Sequence, residues 1–122
     1  MGTVTVPEEQ EIDPTRVAEL AASGEAELVD VRTPNEHEAG RIAGARHIPF
    51  DELTARAEEI DRSRPVVLFC RAGGRSGAAA QAFAASGWEA HSMAGGIERW
   101  VEQGLPIEPE GGHVARPSGL PE

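Results

Sequence analysis

Apolar and polar positions follow two alternating rhythms along most of the chain. Asp13-Pro14 reads as an N-cap followed by proline at the first helical position, and Val17, Leu20 and Ala21 then recur on one helical face until Ser23-Gly24 stops them. Leu28-Val29-Asp30-Val31 reads as a short buried strand, Pro34 to Ala39 as one helical turn, and Ala45 to Ile48 as a short strand closed by Pro49. Asp51 opens a second predicted helix with Leu53, Ala57 and Ile60 on its buried side. Val66-Val67-Leu68-Phe69 is the most continuous apolar run in the chain. A strand that is apolar at every residue has both faces covered, the mark of a parallel sheet with helices on each side. The alanine-rich segment SGAAAQAFAASG favours helix, and Gly87 supplies its stop. A short strand near Glu89 to Ser92 and a last helix from about Ile97 to Gln103, ended by Gly104 and Pro106, complete the series. Helix and strand in alternation predict an α/β class with a mostly parallel sheet of about five strands.

Size limits the organisation. At 122 residues and 12.9 kDa, roughly two-thirds of the unfolded surface is expected to be buried, enough for one core and not for two. The pattern places one domain over residues 9–107. Residues 1–8 carry no sustained pattern, and residues 108–122 are rich in glycine and proline with few residues to bury, so both ends are expected to be flexible.

Composition then removes whole classes of chemistry. All 11 basic residues are arginine, and there is neither lysine nor tyrosine. Without lysine there is no Schiff base, no P-loop lysine on a nucleotide's phosphates and no lysine general base; without tyrosine there is no phenolic nucleophile. One cysteine, Cys70, supports no internal disulfide, no Cys-x-x-Cys redox pair and no multi-thiolate zinc site. The formal net charge of −10 argues against nucleic acid or anionic lipid as a partner, because neutralising phosphates takes a basic face and these arginines are scattered. No apolar run approaches the ~20 residues of a membrane span, and MGTVTVPEEQ lacks the cationic start and apolar stretch of a signal peptide. The expected compartment is the cytoplasm, where a lone cysteine stays reduced.

Strand Val66–Phe69 runs directly into Cys70, and Arg71-Ala72-Gly73-Gly74-Arg75-Ser76 follow before helix begins. That places the only thiol at the carboxyl end of a central strand, where open α/β sheets bind ligands. Two adjacent glycines let the backbone curl with its N–H groups inward, the next helix adds its positive end, and Arg71 and Arg75 add full charges. Each feature favours a thiolate, so Cys70 is expected to be nucleophilic at neutral pH. The same loop can hold a second anionic atom on that sulfur. A cysteine ending an apolar strand is most often an inert core residue, but a core position does not call for Gly-Gly and two charged neighbours within five residues. A dinucleotide site is set aside because Gly-x-Gly-x-x-Gly is missing, and a nucleotide P-loop for want of lysine.

Four blocks in order now carry a family resemblance. LVDVRTPNEHEAGRIAGARHIP, VVLFCRAGGRS, the turn at Gly87-Trp88 and MAGGIERWVEQGLPI together resemble the rhodanese-like sulfurtransferases, as single-domain members, over about Ile12 to Ile107. The resemblance implies a three-layer fold with helices on both faces of the sheet. It further implies that Cys70 takes a sulfane sulfur from a small donor such as thiosulfate, becomes a persulfide, and passes the sulfur to a thiol or cyanide. Arg71 and Arg75 would bind the anionic donor, and backbone N–H groups from Arg71 through Ala72, Gly73, Gly74 and Arg75 to Ser76 would cradle the persulfide. A one-sulfur intermediate suits a ping-pong cycle with a single cysteine and needs no cofactor. The alternative within the resemblance is a persulfide carrier that hands sulfur to a protein partner and turns over slowly alone. Related cell-cycle phosphatases keep five residues between cysteine and arginine, whereas here Arg71, Ala72, Gly73 and Gly74 alone separate Cys70 from Arg75. Phosphatase or arsenate reductase activity is therefore the minor expectation. Members commonly carry an aromatic after the glutamate and a histidine before the isoleucine; this chain has His37 and Arg41, which bears on acceptor or partner preference rather than on sulfur transfer.

The remaining candidates read as support. Asp30 and Arg32, flanking Val31 at a strand end, are expected to help place the loop by hydrogen bonds or a salt bridge, since neither has a proton to move in persulfide exchange. Glu36 is expected to pair with a loop arginine. His37, His47, His91 and His113 show no ligand spacing, so no metal site is expected. Trp88 and Trp100 read as core anchors with an indole N–H at the edge. Glu58, Glu59 and Asp61 read as a solvated helix face.

Overall fold

The computed structural model describes residues 9–116. Five strands form one sheet in the order β1-β5-β4-β2-β3, with every pair parallel. The strands are β1 (Glu11–Ile12), β2 (Glu27–Asp30), β3 (Arg46–His47), β4 (Val66–Phe69) and β5 (Ala90–Met93). The helices are α1 (Pro14–Ser23), α2 (Pro34–Ala39), α3 (Leu53–Arg56), α4 (Gly74–Ala85) and α5 (Gly96–Glu102). β4 lies at the centre, and its C-terminal end points the chain into Cys70.

Alternate side chains of the strands feed two cores, as the period-two geometry of a strand requires. Leu28, Val67, Phe69 and Met93 pack with Val17 and Leu20 of α1 and with Ile97 and Trp100 of α5. Val29, Val66, Leu68 and Cys70 pack on the opposite side with Leu53, Ile60, Ala79 and Ala80. The sheet is thus the middle of three layers, and this is why β4 carries no polar residue. Trp100 is buried with its indole N–H donated to the Pro106 carbonyl at 2.8 Å, while Trp88 is half-buried and tilted against Phe83.

Local chemistry accounts for the first helices. Asp13 accepts from the Thr15 N–H at 3.2 Å and Pro14 occupies the first position of α1, so the helix starts where its orphan donors are met. Glu36 reaches back to the Thr33 N–H at 2.9 Å, closing the capping box of α2.

Four details differ from the sequence reading. The Asp51–Ile60 segment is not one helix: a 3-10 turn over Phe50–Glu52, the single turn of α3 and a 3-10 turn over Ala57–Glu59 replace it. Leu53 and Ile60 are buried but Ala57 only partly, and two anchors do not impose a regular helix on so short a stretch. α4 begins at Gly74, two residues before the predicted SGAAAQAFAASG. β1, with Ile12 as its buried residue, carries too little pattern to be read as a strand.

The fourth detail is the tail. Residues 1–8 and 117–122 lie outside the described residues, but Glu108 to Arg116 folds back on α2 rather than fraying. Glu108 and Arg41 exchange both backbone hydrogen bonds at 2.8 Å, the His113 N–H donates to the Ala39 carbonyl at 2.9 Å, and Ala115 is buried. Backbone pairing needs no apolar side chains, so composition does not reveal it.

Candidate active site

The loop after β4 closes around one sulfur atom. Cys70 Sγ accepts from the Gly73 N–H at 3.1 Å and the Ser76 N–H at 3.4 Å, with the Ser76 hydroxyl also at 3.4 Å. Gly73 makes this turn possible: it caps α4 with φ +119, a backbone conformation that a side chain would strain. The first N–H groups of a helix have no intrahelical acceptor, so the start of α4 is a set of donors beside the sulfur. Ala72 and Gly74 lie on the exposed side of the loop. Cys70 itself is 1% exposed, so only a narrow approach leads to its thiol.

The other wall of the loop comes from α5. The Ile97 N–H donates to the Cys70 carbonyl at 2.9 Å and the Glu98 N–H to the Arg71 carbonyl at 3.1 Å. Gly96 sits so close to both carbonyls that a Cβ would overlap them, and its φ of +65 adds a second reason for glycine. These contacts clamp the start of the thiol loop to the neighbouring strand's helix.

Both loop arginines are paired with carboxylates. Arg71 binds Glu98, and Arg75 makes a two-pronged pair with the buried Glu36 at 2.9 and 3.0 Å. The Glu36–Arg75 contact joins α2 to α4 across the mouth of the site. A guanidinium has five N–H donors, so each arginine keeps donors for a second anion while it stays paired. The Glu36 hydrogen bonds, acting against burial, hold Arg75 more firmly charged than usual, and the Cys70 sulfur contributes to the same effect. Arg75 also borders a cleft of about 310 Å³ with Val31, Thr33, Pro49 and Phe50. A larger cleft of about 370 Å³ near Leu28, Ile42 and Trp100 contains none of the loop residues.

Asp30 and Arg32 do not contact the loop through a hydrogen bond among the described residues; they bind each other. Asp30 accepts from the Arg32 N–H, Nε and Nη2 at 3.0, 2.9 and 2.8 Å, and Arg32 Nη2 also donates to the Gly40 carbonyl at 2.7 Å. His47 Nε2 lies 2.8 Å from the Arg32 carbonyl, and its ring stacks on His37 with centroids 4.1 Å apart. Burial, followed by the neighbouring His47, pushes His37 below the usual imidazole range.

Glu98, Gly96 and Ser92 escaped the sequence reading. Ser92 in β5 places its hydroxyl 2.8 Å from that of Ser76. A signal for Glu98 exists: it falls in the first turn after Gly95-Gly96, at the C-terminal end of a strand parallel to β4, and so on the same edge of the sheet as the thiol.

Glu36 makes a pH prediction. Burial raises its carboxyl, but hydrogen bonds from Arg75 and Thr33 outweigh that and hold it below its usual value of 4.5. A carboxyl lowered on folding contributes stability that is complete above the unfolded value and lost as pH falls through the folded one. The stability gap between the parent and Glu36→Gln is therefore expected to be about 1–3 kcal/mol at pH 7 and to close in acid below 4.5, where the protonated parent resembles the amide. Urea midpoints across that range measure it; a gap that widens in acid would contradict the assignment.

A parallel α/β sheet that brings one thiol to two backbone N–H donors at a helix start places a cysteine where open α/β sheets bind ligands. Within that class the chain belongs to the rhodanese-like domain family, whose profile matches residues 13–103. A protein of Bacillus subtilis called uncharacterized protein YqhL is 46% identical over 76 residues, which cover 62% of this chain and 60% of that protein. A protein of Allochromatium vinosum called sulfurtransferase is 38% identical over 104 residues, 83% of this chain and 97% of its own length. The thiosulfate sulfurtransferase GlpE of Pseudomonas aeruginosa is 35% identical over 92 residues, 75% of this chain and 83% of its own length. Among solved structures, a rhodanese-related protein of Thermoplasma volcanium superposes with a TM-score of 0.75 at 29% identity, covering 82% of this chain and 98% of that one. No helix among the described residues is long and apolar enough to cross a membrane.

Proposed function

We propose that the protein is a sulfurtransferase that moves a sulfane sulfur from thiosulfate or a related donor to a thiol or cyanide through a persulfide on Cys70. The observation that carries this reading is the pair of N–H groups, from Gly73 and Ser76, aimed at Cys70 Sγ. Relatives named sulfurtransferase and thiosulfate sulfurtransferase support the same reaction class.

In the first half-reaction the Cys70 thiolate attacks the outer sulfur of thiosulfate. A Cys70 S–S bond forms, the S–S bond of thiosulfate breaks, and sulfite leaves with the electron pair. The outer sulfur is left as an anion on Cys70, where the loop N–H groups and the start of α4 stabilise it as they do the thiolate. Arg71 and Arg75 hold the donor's sulfonate with the guanidinium donors that Glu98 and Glu36 leave free. In the second half-reaction a cyanide carbon or thiolate sulfur attacks the outer sulfur, the S–S bond breaks, and Cys70 returns as thiolate. No net oxidation and no cofactor are needed. The reaction is placed in the cytoplasm, where the thiol stays reduced and thiol acceptors are abundant.

Intact-mass spectrometry after incubation with thiosulfate tests the reading. A gain of one sulfur atom, confined to the tryptic fragment that contains Cys70 and discharged within seconds by cyanide, is expected. Loading followed by slow discharge to every small acceptor would favour the carrier alternative, with a protein thiol as the acceptor. No loading from thiosulfate or from a low-mass persulfide would overturn both.

A further inference from the structure

Behind the loop lies a chain of two hydroxyls that the reaction as written does not use. Ser92 is fully buried in β5, and its Oγ lies 2.8 Å from Ser76 Oγ, which in turn lies 3.4 Å from Cys70 Sγ. Ser76 is also fully buried. A hydroxyl has one proton to give and can accept two, so the direction of the Ser76–Ser92 hydrogen bond decides where the Ser76 proton points. If Ser76 donates to Ser92, its proton is turned away from the sulfur. If Ser92 donates to Ser76, the Ser76 proton is free. Its remaining acceptors are then Cys70 Sγ and the Gly73 carbonyl, also at 3.4 Å. That carbonyl already accepts the Gly77 N–H at 2.9 Å, and an anionic sulfur attracts a proton more strongly than a neutral carbonyl does.

We propose that Ser92 is a positioning residue: by donating its hydroxyl proton to Ser76 Oγ, it turns the Ser76 proton toward Cys70 Sγ and gives the anionic sulfur a third donor. The device is reversible. When Cys70 is a neutral thiol, the thiol can donate to Ser76 and Ser76 to Ser92, so both hydroxyls stay paired in either charge state. Ionisation of the thiol releases its one proton to solvent; the two hydroxyls only reorient and keep theirs, and no other reactant is required. For thiol reactivity the inference stands on geometry alone; for sulfur transfer it rests on the function proposed above.

Alkylation of Cys70 by iodoacetamide, followed by intact mass, tests it without any sulfur donor. Ser92→Ala is expected to slow alkylation about 3- to 10-fold at pH 6.5, the worth of one ordinary hydrogen bond at the 3.4 Å that separates Ser76 Oγ from Cys70 Sγ, and to match the parent at pH 10, where thiols in general react as thiolates. Ser92→Thr keeps the hydroxyl and is expected to recover most of the rate. Because Ser92 acts through Ser76, Ser92→Ala added to Ser76→Ala is expected to slow alkylation no further than Ser76→Ala alone. Equal rates for Ser92→Ala and the parent at pH 6.5 would overturn the proposal, as would a full additional loss in the double variant or an equal loss at pH 10, which would report altered access. Should Ser92→Ala prove unstable by circular dichroism, the comparison of Ser92→Thr with the parent decides: a rate that falls more than 3-fold at pH 6.5 with the fold intact contradicts the assignment. If alkylation follows these expectations while the parent takes up no sulfur from thiosulfate, the proposed function fails and the role of Ser92 stands.

Discussion

Serine in place of Cys70 is expected to lower thiosulfate-to-cyanide sulfur transfer by at least about a thousandfold, the scale on which enzymes lose activity when their nucleophile is removed. The substitution changes one atom. The Gly73 and Ser76 N–H groups that now meet sulfur can meet a hydroxyl oxygen as well, so the loop keeps its donors' partner and thermal stability is expected to move by no more than a few degrees. What is lost is chemistry. A serine hydroxyl is ionised far less than a thiol near neutral pH, and an oxygen–sulfur adduct is not a persulfide that cyanide or a thiol can discharge. The measurements are thiocyanate formation and intact mass after thiosulfate, with a melting curve on the same sample. Turnover at a tenth of the parent rate or more by a folded Cys70→Ser protein would remove Cys70 from the reaction, whatever the loop's geometry suggests.

How much of this site can be read from the chain depends on how local its contacts are. The strand Val66–Phe69, Cys70 and the Gly-Gly turn are consecutive, and an all-apolar strand followed by a glycine pair has few other readings; the parallel sheet and the thiol's place at its edge follow from that run alone. Glu36 against Arg75 was an available guess because each sits in a motif of its own, although their meeting depends on α2 and α4 converging over the loop. Glu98, Gly96 and Ser92 are different. They lie on the far side of α4, more than twenty positions along from the cysteine, and reach the loop only because β5 pairs with β4 in parallel. The charge of the site changes with them. From the sequence, Glu36 is a partner for one loop arginine and the other has none; in the fold each faces a carboxylate, so the loop offers directed hydrogen-bond donors more than net positive charge.

The regular elements divide along the same line. α1 and α2 are written in their caps, which are neighbours in sequence. α4 begins early because Gly73 and Gly74, poor residues for a helix interior, are suited to a helix start that must wrap around a sulfur. β1 is held by backbone bonds to β5, from the Ser92 N–H to the Gln10 carbonyl at 2.8 Å and from the Ala94 N–H to the Ile12 carbonyl at 2.9 Å, and its side chains say little. The same holds for residues 108–116, where a glycine-rich composition conceals a backbone pairing with Arg41 and Ala39.

Asp30→Ala is expected to cost about 3–5 kcal/mol, more than any single change to the loop, because it strands a buried charge. Arg32 and Asp30 are both fully buried, and Arg32 Nη1 is buried without a hydrogen-bond partner among the described residues even in the intact protein. The guanidinium has no exposed surface and lies 5.8 Å from the centre of the Phe69 ring, so losing the carboxylate leaves a buried cation without its counter-charge. Against a total stability of about 5–15 kcal/mol for a domain, such a loss unfolds a substantial fraction of molecules under mild denaturant. Removing both charges is a different experiment. Asp30→Ala with Arg32→Met leaves no buried ion and fills much of the arginine's volume, so the double variant is expected to be more stable than Asp30→Ala alone. Its backbone at residue 32 still offers His47 a carbonyl. Urea midpoints for the parent, both singles and the double measure the coupling. A loss under 1 kcal/mol for Asp30→Ala, or a double variant weaker than either single, would mean that the pair is not what holds the end of β2 in place. Because β2 pairs with β4 up to Asp30 opposite Phe69, the residue before Cys70, sulfur transfer by the folded fraction of Asp30→Ala is expected to fall as well, and the double variant to recover part of it.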